Sequence, residues 1–127
     1  MGFWFYALVM DLLIPAVMIF FGWRFMCHPP KDINAVYGYR TSMSMKNRDT
    51  WRFAHGYCGR LWFRIGIAAA PVSVIPLLCV LGRDTDTVGI TCVAVCGVQI
   101  IAMLLTILPT ERALRKNFDQ YGRRKQI

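Results

Sequence analysis

A chain of 127 residues that is 56% hydrophobic and still carries a formal net charge of +8 does not read as a small soluble domain. Its mean hydropathy of +0.41, with charges and apolar residues segregated along the chain, points to lipid as the solvent for much of it. The basic excess is no argument for a nucleic-acid partner, because a positive protein face beside an anionic leaflet follows from membrane electrostatics alone.

The first apolar run, Phe3 to Met26, reads FWFYALVMDLLIPAVMIFFGWRFM and holds one acid and one base. No basic residue precedes it, and its exit GWRFMCHPP lacks a small-x-small cleavage pattern, so it is expected to be a retained span and not a cleaved signal peptide. Asp11 lies near its middle. An ionised carboxylate at that depth costs on the order of 2.5–3.5 kcal/mol, so Asp11 should face the bundle interior, be protonated or pair with a base. Two roles follow: a substrate- or proton-binding carboxyl, or one hydrogen-bonded to a threonine or to the backbone of a neighbouring helix. Pro15 clashes with the carbonyl four residues back, that of Asp11 itself, and predicts a kink there.

Pro29 and Pro30 stop this helix and open a polar loop, residues 27–60. KDINAVY, Lys31 to Tyr37, reads as a short helix with Ile33, Val36 and Tyr37 on one side, ended by Gly38. The stretch Thr41-Ser42-Met43-Ser44 reads as a turn or extended segment dense in hydroxyls. Asn47 is a helix N-cap with Arg48 and Asp49 in the first turn. The helical spacing of Trp51, Ala54, Cys58, Leu61 and Ile65 carries that helix into the second span. Arg48, Arg52 and His55 follow at i, i+4 and i+7, and with Arg40 are expected to converge on one anion: a lipid phosphate, a peptide carboxylate or a loop aspartate. Tyrosines and Trp51 are expected to anchor the loop at headgroup level.

The second run, Leu61 to Leu81, contains Arg64 as its one charge, and the third, Thr87 to Leu108, has none. At about 1.5 Å per residue each run crosses roughly 30 Å of hydrocarbon. Pro71 and Pro76 predict a bent or locally opened second helix. Gly66, Ala68, Ala70, Gly89, Ala94 and Gly97 permit close helix approach, within the chain or between two copies. Pro109 marks the end of the third span and Thr110 can cap a short amphipathic helix, Glu111 to Phe118, lying at the membrane surface. The turn Gln120-Tyr121-Gly122 ends it, with a frayed basic tail behind.

The architecture is therefore all-α: three transmembrane helices, about 3–26, 61–81 and 87–108, in a single membrane domain with a structured loop and a C-terminal amphipathic helix in the tail, 109–127. Every one of the fifteen lysines and arginines except Arg83 lies in or beside the loop and tail. The positive-inside rule places both in the cytoplasm and the N-terminus outside. Cys79, Cys92 and Cys96 read as small apolar residues of the spans. Cys27, His28, His55 and Cys58 have zinc-ligand chemistry at one membrane edge, but adjacent Cys27 and His28 chelate one metal poorly. No metal and no cofactor is assigned. With no phosphate loop, dinucleotide fingerprint or serine elbow, no enzyme activity is expected.

Two separated segments carry a resemblance. PPKDINAVYGYRTSMSMKNRDTWRFAHGYCGRL precedes the second span and PTERALRKNFDQYGRR follows the third. Together they resemble the SdpI family of small bacterial membrane proteins. The matching positions are Asn34, Tyr37, Gly38, Tyr39, Arg40, Thr41, Ser44, Asn47 and Trp51 in the loop. In the tail they are Thr110, Glu111, Leu114, Phe118, Asp119 and Gly122. The resemblance implies a role in immunity, protecting a toxin-producing bacterium from its own secreted killing peptide, with recruitment of a transcriptional repressor as a second family activity. The expected partners are membrane lipids and a toxic peptide or a membrane protein, with a second copy of the chain a further candidate. The alternative is a small transporter or lipid-headgroup binder built on Asp11, the prolines and the arginine cluster.

Overall fold

The computed structural model describes residues 2–31, 33–34 and 38–125. Four helices follow in order: α1 (Gly2–Cys27), α2 (Arg48–Cys79), α3 (Thr85–Leu105) and α4 (Ile107–Asn117). Three stretches are long and apolar enough to cross a membrane, α1, α2 and the continuous α3–α4 segment. Their outward faces carry Phe5, Val9, Phe20, Val72, Ile75, Ile90, Val93 and Ile101 exposed. A water-soluble bundle of this size would not leave so much apolar surface uncovered; hydrocarbon is the solvent it fits.

α1 and α2 meet closely because two glycines face each other. A Cβ on Gly22 would lie 2.7 Å from the Gly59 carbonyl oxygen, and one on Gly59 would lie 2.7 Å from that of Gly22. One turn and more deeper, a Cβ added at Gly66 would lie 3.0 Å from the Pro15 carbonyl oxygen. This small-residue seam is the usual way helices pack where no water drives association. α3 is more peripheral, with Val88 and Gln99 as its buried residues. At one end of the bundle Trp4, Ala7, Leu77 and Val88 form a small core, tied by the Trp4 indole N–H donating to the Leu77 carbonyl at 2.8 Å.

α2 starts where its cap signal lies. The Asn47 side chain accepts from the Thr50 N–H at 2.8 Å, and the Thr50 hydroxyl accepts from the Asn47 N–H at 3.1 Å. This reciprocal capping box satisfies two orphan donors. The helix then runs unbroken through Pro71 and Pro76 to Cys79. The expected short helix in the loop is not present at Lys31, Ile33 or Asn34; its other positions, Asp32 and 35–37, lie outside the described residues.

The third apolar stretch has a break at Thr106, three residues before Pro109. α3 stops at Leu105 and α4 begins at Ile107, because the Pro109 ring disrupts bonding to the carbonyl four residues back, that of Leu105. Thr110 is not a cap. It sits inside α4, fully buried, and its hydroxyl donates to the Thr106 carbonyl at 2.8 Å. The break is held against α2 by the Trp62 indole N–H, which donates to the Thr106 hydroxyl at 2.9 Å. In α4 Leu114, with Phe118 just after the helix, packs with Tyr39, Met43, Ala54 and Cys58 in the core of the polar end, while Ile107 and Leu108 stay exposed.

Candidate functional site

The described residues of the loop after α1 have no regular structure to satisfy their backbone, so side chains do it. Ser44 is the knot. Its hydroxyl accepts from the Thr41 N–H at 2.8 Å and donates toward the Tyr39 carbonyl at 3.1 Å. The Thr50 hydroxyl in turn donates to the Ser44 carbonyl at 3.0 Å. The hydroxyl-rich stretch is thus a folded turn docked on the start of α2.

His55 and Trp51 hold the other side. The Tyr39 backbone N–H donates to His55 Nε2 at 2.9 Å, and His55 Nδ1 lies 2.7 Å from the Trp51 carbonyl. A backbone N–H can only donate, so Nε2 accepts and Nδ1 carries the proton: the ring is neutral and both its nitrogens are used. The Trp51 indole N–H donates to the Pro30 carbonyl at 2.8 Å, and the Trp51 and His55 rings are 4.3 Å apart. Gly38, at φ +107°, passes directly over the imidazole, and a Cβ there would overlap His55 Nε2.

The tail closes over this loop. The Asn47 amide donates to the Gly122 carbonyl at 2.6 Å. Tyr39 Oη donates to Glu111 Oε1 at 2.8 Å, and burial together with that hydrogen bond and the Glu111 charge pushes its ionisation far above the ordinary tyrosine range. The turn expected at Gln120-Tyr121-Gly122 is present, and behind it Arg123 to Lys125 are held by hydrogen bonds and not frayed. Phe118 and Arg124 form an antiparallel bridge, Gly122 turns at φ +81°, and Asp119 accepts from the Arg123 and Tyr121 N–H groups at 2.9 Å each. The Arg123 amide, before the other contacts, holds the Asp119 carboxyl below the usual range. Arg124 makes a bidentate pair with Asp49, at 2.7 and 2.9 Å.

The residues expected to form one anion site divide. Arg40, Arg48 and Arg52 are exposed, whereas His55, further along the same side of α2, is fully buried. The cause is the latch: Tyr39 and Phe25 cover His55 and leave the arginines outside. Trp51 is likewise fully buried, a brace between loop and helix and not a headgroup anchor. Gly38, Tyr39, Thr41, Ser44, Asn47, Thr110, Glu111, Phe118, Asp119 and Gly122 form the loop–tail contact or its supporting turns; Asn34 is half-buried and Tyr37 lies outside the described residues. The suggested zinc quartet does not assemble, since Cys27 is exposed and Cys58 buried with His55 already engaged.

Asp11 is fully buried. Its Oδ1 accepts from the thiols of Cys92 at 3.1 Å and Cys96 at 3.2 Å, neither a threonine nor a backbone group. Pro15 has no N–H to give to the Asp11 carbonyl, and the Gln99 amide fills the place at 2.7 Å. Gln99 also donates to Ser73 on α2 at 2.6 Å, so three helices meet at this depth. These partners were hidden in the sequence, where Cys92 and Cys96 pass as apolar filler; the i, i+4, i+7 spacing of Cys92, Cys96 and Gln99 was the available signal.

Beside the latch lies a groove of about 500 Å³. Val17, Phe21, Trp62 and Leu104 form its apolar walls, and Gly38, Arg40 and Thr41 its rim. Val17 and Leu104 are exposed, so the groove opens at the outer surface of the helices.

Fold and site together define a multi-pass membrane protein whose polar loop and tail make one folded cap at one end of three spans. The SdpI/YfhL protein family profile matches residues 31–110, from the loop through the second and third spans to Thr110, and the chain belongs to that family. It is similar to the Bacillus subtilis (strain 168) protein described as uncharacterized protein YfhL, 30% identical over 99 residues that cover 78% of this chain and 80% of that protein. No solved structure matches.

Proposed function

We propose that this is a non-enzymatic binding protein of the membrane that interacts with a toxic peptide and gives immunity to it. The observation that carries the reading is the lateral groove with apolar walls at span depth and Arg40 at its rim. Such a groove suits an amphiphile, with apolar side chains against Val17, Phe21 and Leu104 and a carboxylate or phosphate near Arg40. The Tyr39–His55–Trp51 latch keeps the rim in place, so binding requires little reordering. The basic loop and tail face the cytoplasm and the N-terminus lies outside, by the charge asymmetry.

Protection of a peptide-sensitive bacterium expressing the protein tests this. Val17→Trp, which fills the groove, and Arg40→Ala should abolish protection at unchanged membrane abundance, while Asp11→Asn should retain it. Protection that survives both groove variants removes the reading. The second reading, a small transporter or lipid-headgroup binder, is favoured by the buried Asp11 carboxyl, whose Oδ2 has no hydrogen-bond partner. Under it, Asp11→Asn abolishes activity.

A further inference from the structure

We propose that Asp11, Cys92 and Cys96 form a binding site for a borderline-soft divalent metal ion of the Zn²⁺ class, set between α1 and α3 within the bundle. It stands independently of the peptide-binding reading.

The three ligand atoms come from two helices and all lie within 4.8 Å of one another. A tetrahedral Zn²⁺ with Zn–S near 2.3 Å and Zn–O near 2.0 Å sets S···O edges of about 3.5 Å and an S···S edge of about 3.8 Å. The observed S···O separations of 3.1 and 3.2 Å need to open by only a few tenths of an ångström to reach those edges. They are also short for thiol–oxygen hydrogen bonds, which are weak.

The hydrogen bonding points the same way. Both thiols converge on Oδ1, while Oδ2 of the same fully buried carboxyl has no partner. A buried acceptor without a partner calls for an explanation, and a bound ion is one. Gln99, one turn beyond Cys96 on the same face, supplies a second unsatisfied buried acceptor, Oε1, and is the candidate fourth oxygen donor. Thiolates select Zn²⁺ over Mg²⁺ or Ca²⁺. Charge is compatible with the depth: a divalent ion with the Asp11 carboxylate and two thiolates leaves a net charge of −1, the same as the carboxylate and two thiols carry without the ion. Cys92 and Cys96 each ligate as thiolate, so two protons are released to solvent as the ion enters.

The test uses the full chain, reduced, in detergent micelles, titrated with Cd²⁺ as a spectroscopic probe and with Zn²⁺ in competition. The expected result is a thiolate-to-metal charge-transfer band saturating at one ion per chain, reversed by Zn²⁺, with proton release matching the number of thiolates formed. Cys92→Ser and Cys96→Ser should each weaken binding by about tenfold or more, at or above what loss of an outer-shell partner costs. Asp11→Asn should weaken binding while keeping the sulfur band. Cys27→Ser and Cys79→Ser should leave the titration unchanged. A folded wild-type protein that shows no saturable band, or one whose band disappears with Cys27→Ser, overturns the site and leaves a hydrogen-bonded thiol–carboxyl cluster. The wild-type titration decides this even if a cysteine variant fails to fold.

Discussion

The backbone N–H of Tyr39 ends on the imidazole of His55, sixteen residues away, at 2.9 Å. That bond fixes the loop to the first turns of α2 and requires His55 to be neutral. His55→Ala leaves a buried N–H without an acceptor, which costs about 1–3 kcal/mol. Acid acts similarly, since a proton on Nε2 sets donor against donor. Gly38→Ala should be at least as damaging, because its φ of +107° is strained for any side chain and its Cβ overlaps the ring. Limited trypsin digestion in micelles should cut faster at Lys46 and Arg48 in both variants and in acid. Identical digestion rates would show that the latch does not hold the loop.

The Gly22–Gly59 crossing makes a sharp pair of predictions. Gly59→Ala places a methyl 2.7 Å from the Gly22 carbonyl oxygen, where only backbone can give way, so thermal stability in detergent should fall by about 1–3 kcal/mol. Gly97→Ala meets nothing within 4 Å and should stay within about 0.5 kcal/mol of wild type. Equal effects at the two positions would count against the packed seam.

Arg124 and Asp49 are joined by two hydrogen bonds but are respectively 60% and 48% exposed. Asp49→Asn should therefore leave global stability nearly unchanged. Its clearer effect is local: the tail loses a clamp, and hydrogen exchange at the Asp119 and Lys125 amides should speed up. High salt should reproduce part of this in the wild type. Exchange insensitive to both would mean that the pair is incidental.

Two titrations act on the cap from opposite ends of the pH scale. Tyr39 is raised in the folded state, first by burial and then by Glu111. Its contribution is present below the ordinary tyrosine range and is lost as pH rises toward the raised value. Asp119 is lowered, chiefly by the Arg123 amide; its contribution is present above the ordinary aspartate range and is lost as pH falls through the lowered value. Tyr39→Phe should remove the alkaline loss and Asp119→Asn the acid loss, each read as tail exchange against pH. A wild-type profile flat at both ends contradicts both.

The helices were readable in the sequence because a charge inside hydrocarbon is costly, so long uncharged runs have few other interpretations. Asn47 was readable as a cap because its chemistry is local. What could not be read depends on partners far along the chain. Trp51 and Tyr39 at the edge of a span look like interfacial anchors, and nothing nearby in sequence shows that they face Pro30 and Glu111. Arg48, Arg52 and His55 share one side of α2, and only the loop, which covers His55, decides which of them is buried. The basic tail looked frayed because its turn is completed by Asn47, 75 positions earlier. Thr106, not Pro109, ends α3 because proline acts on the carbonyl four residues before it.

Asn47 closes the capping box that starts α2 and also grips Gly122, 75 positions further along the chain. The cap of the second helix is thus completed by a segment that follows all three apolar helices in sequence. Those helices can enter the bilayer before it forms, so the polar end assembles only after the spans are in place. A nascent chain stopped after α3 would be inserted but would still lack a finished face.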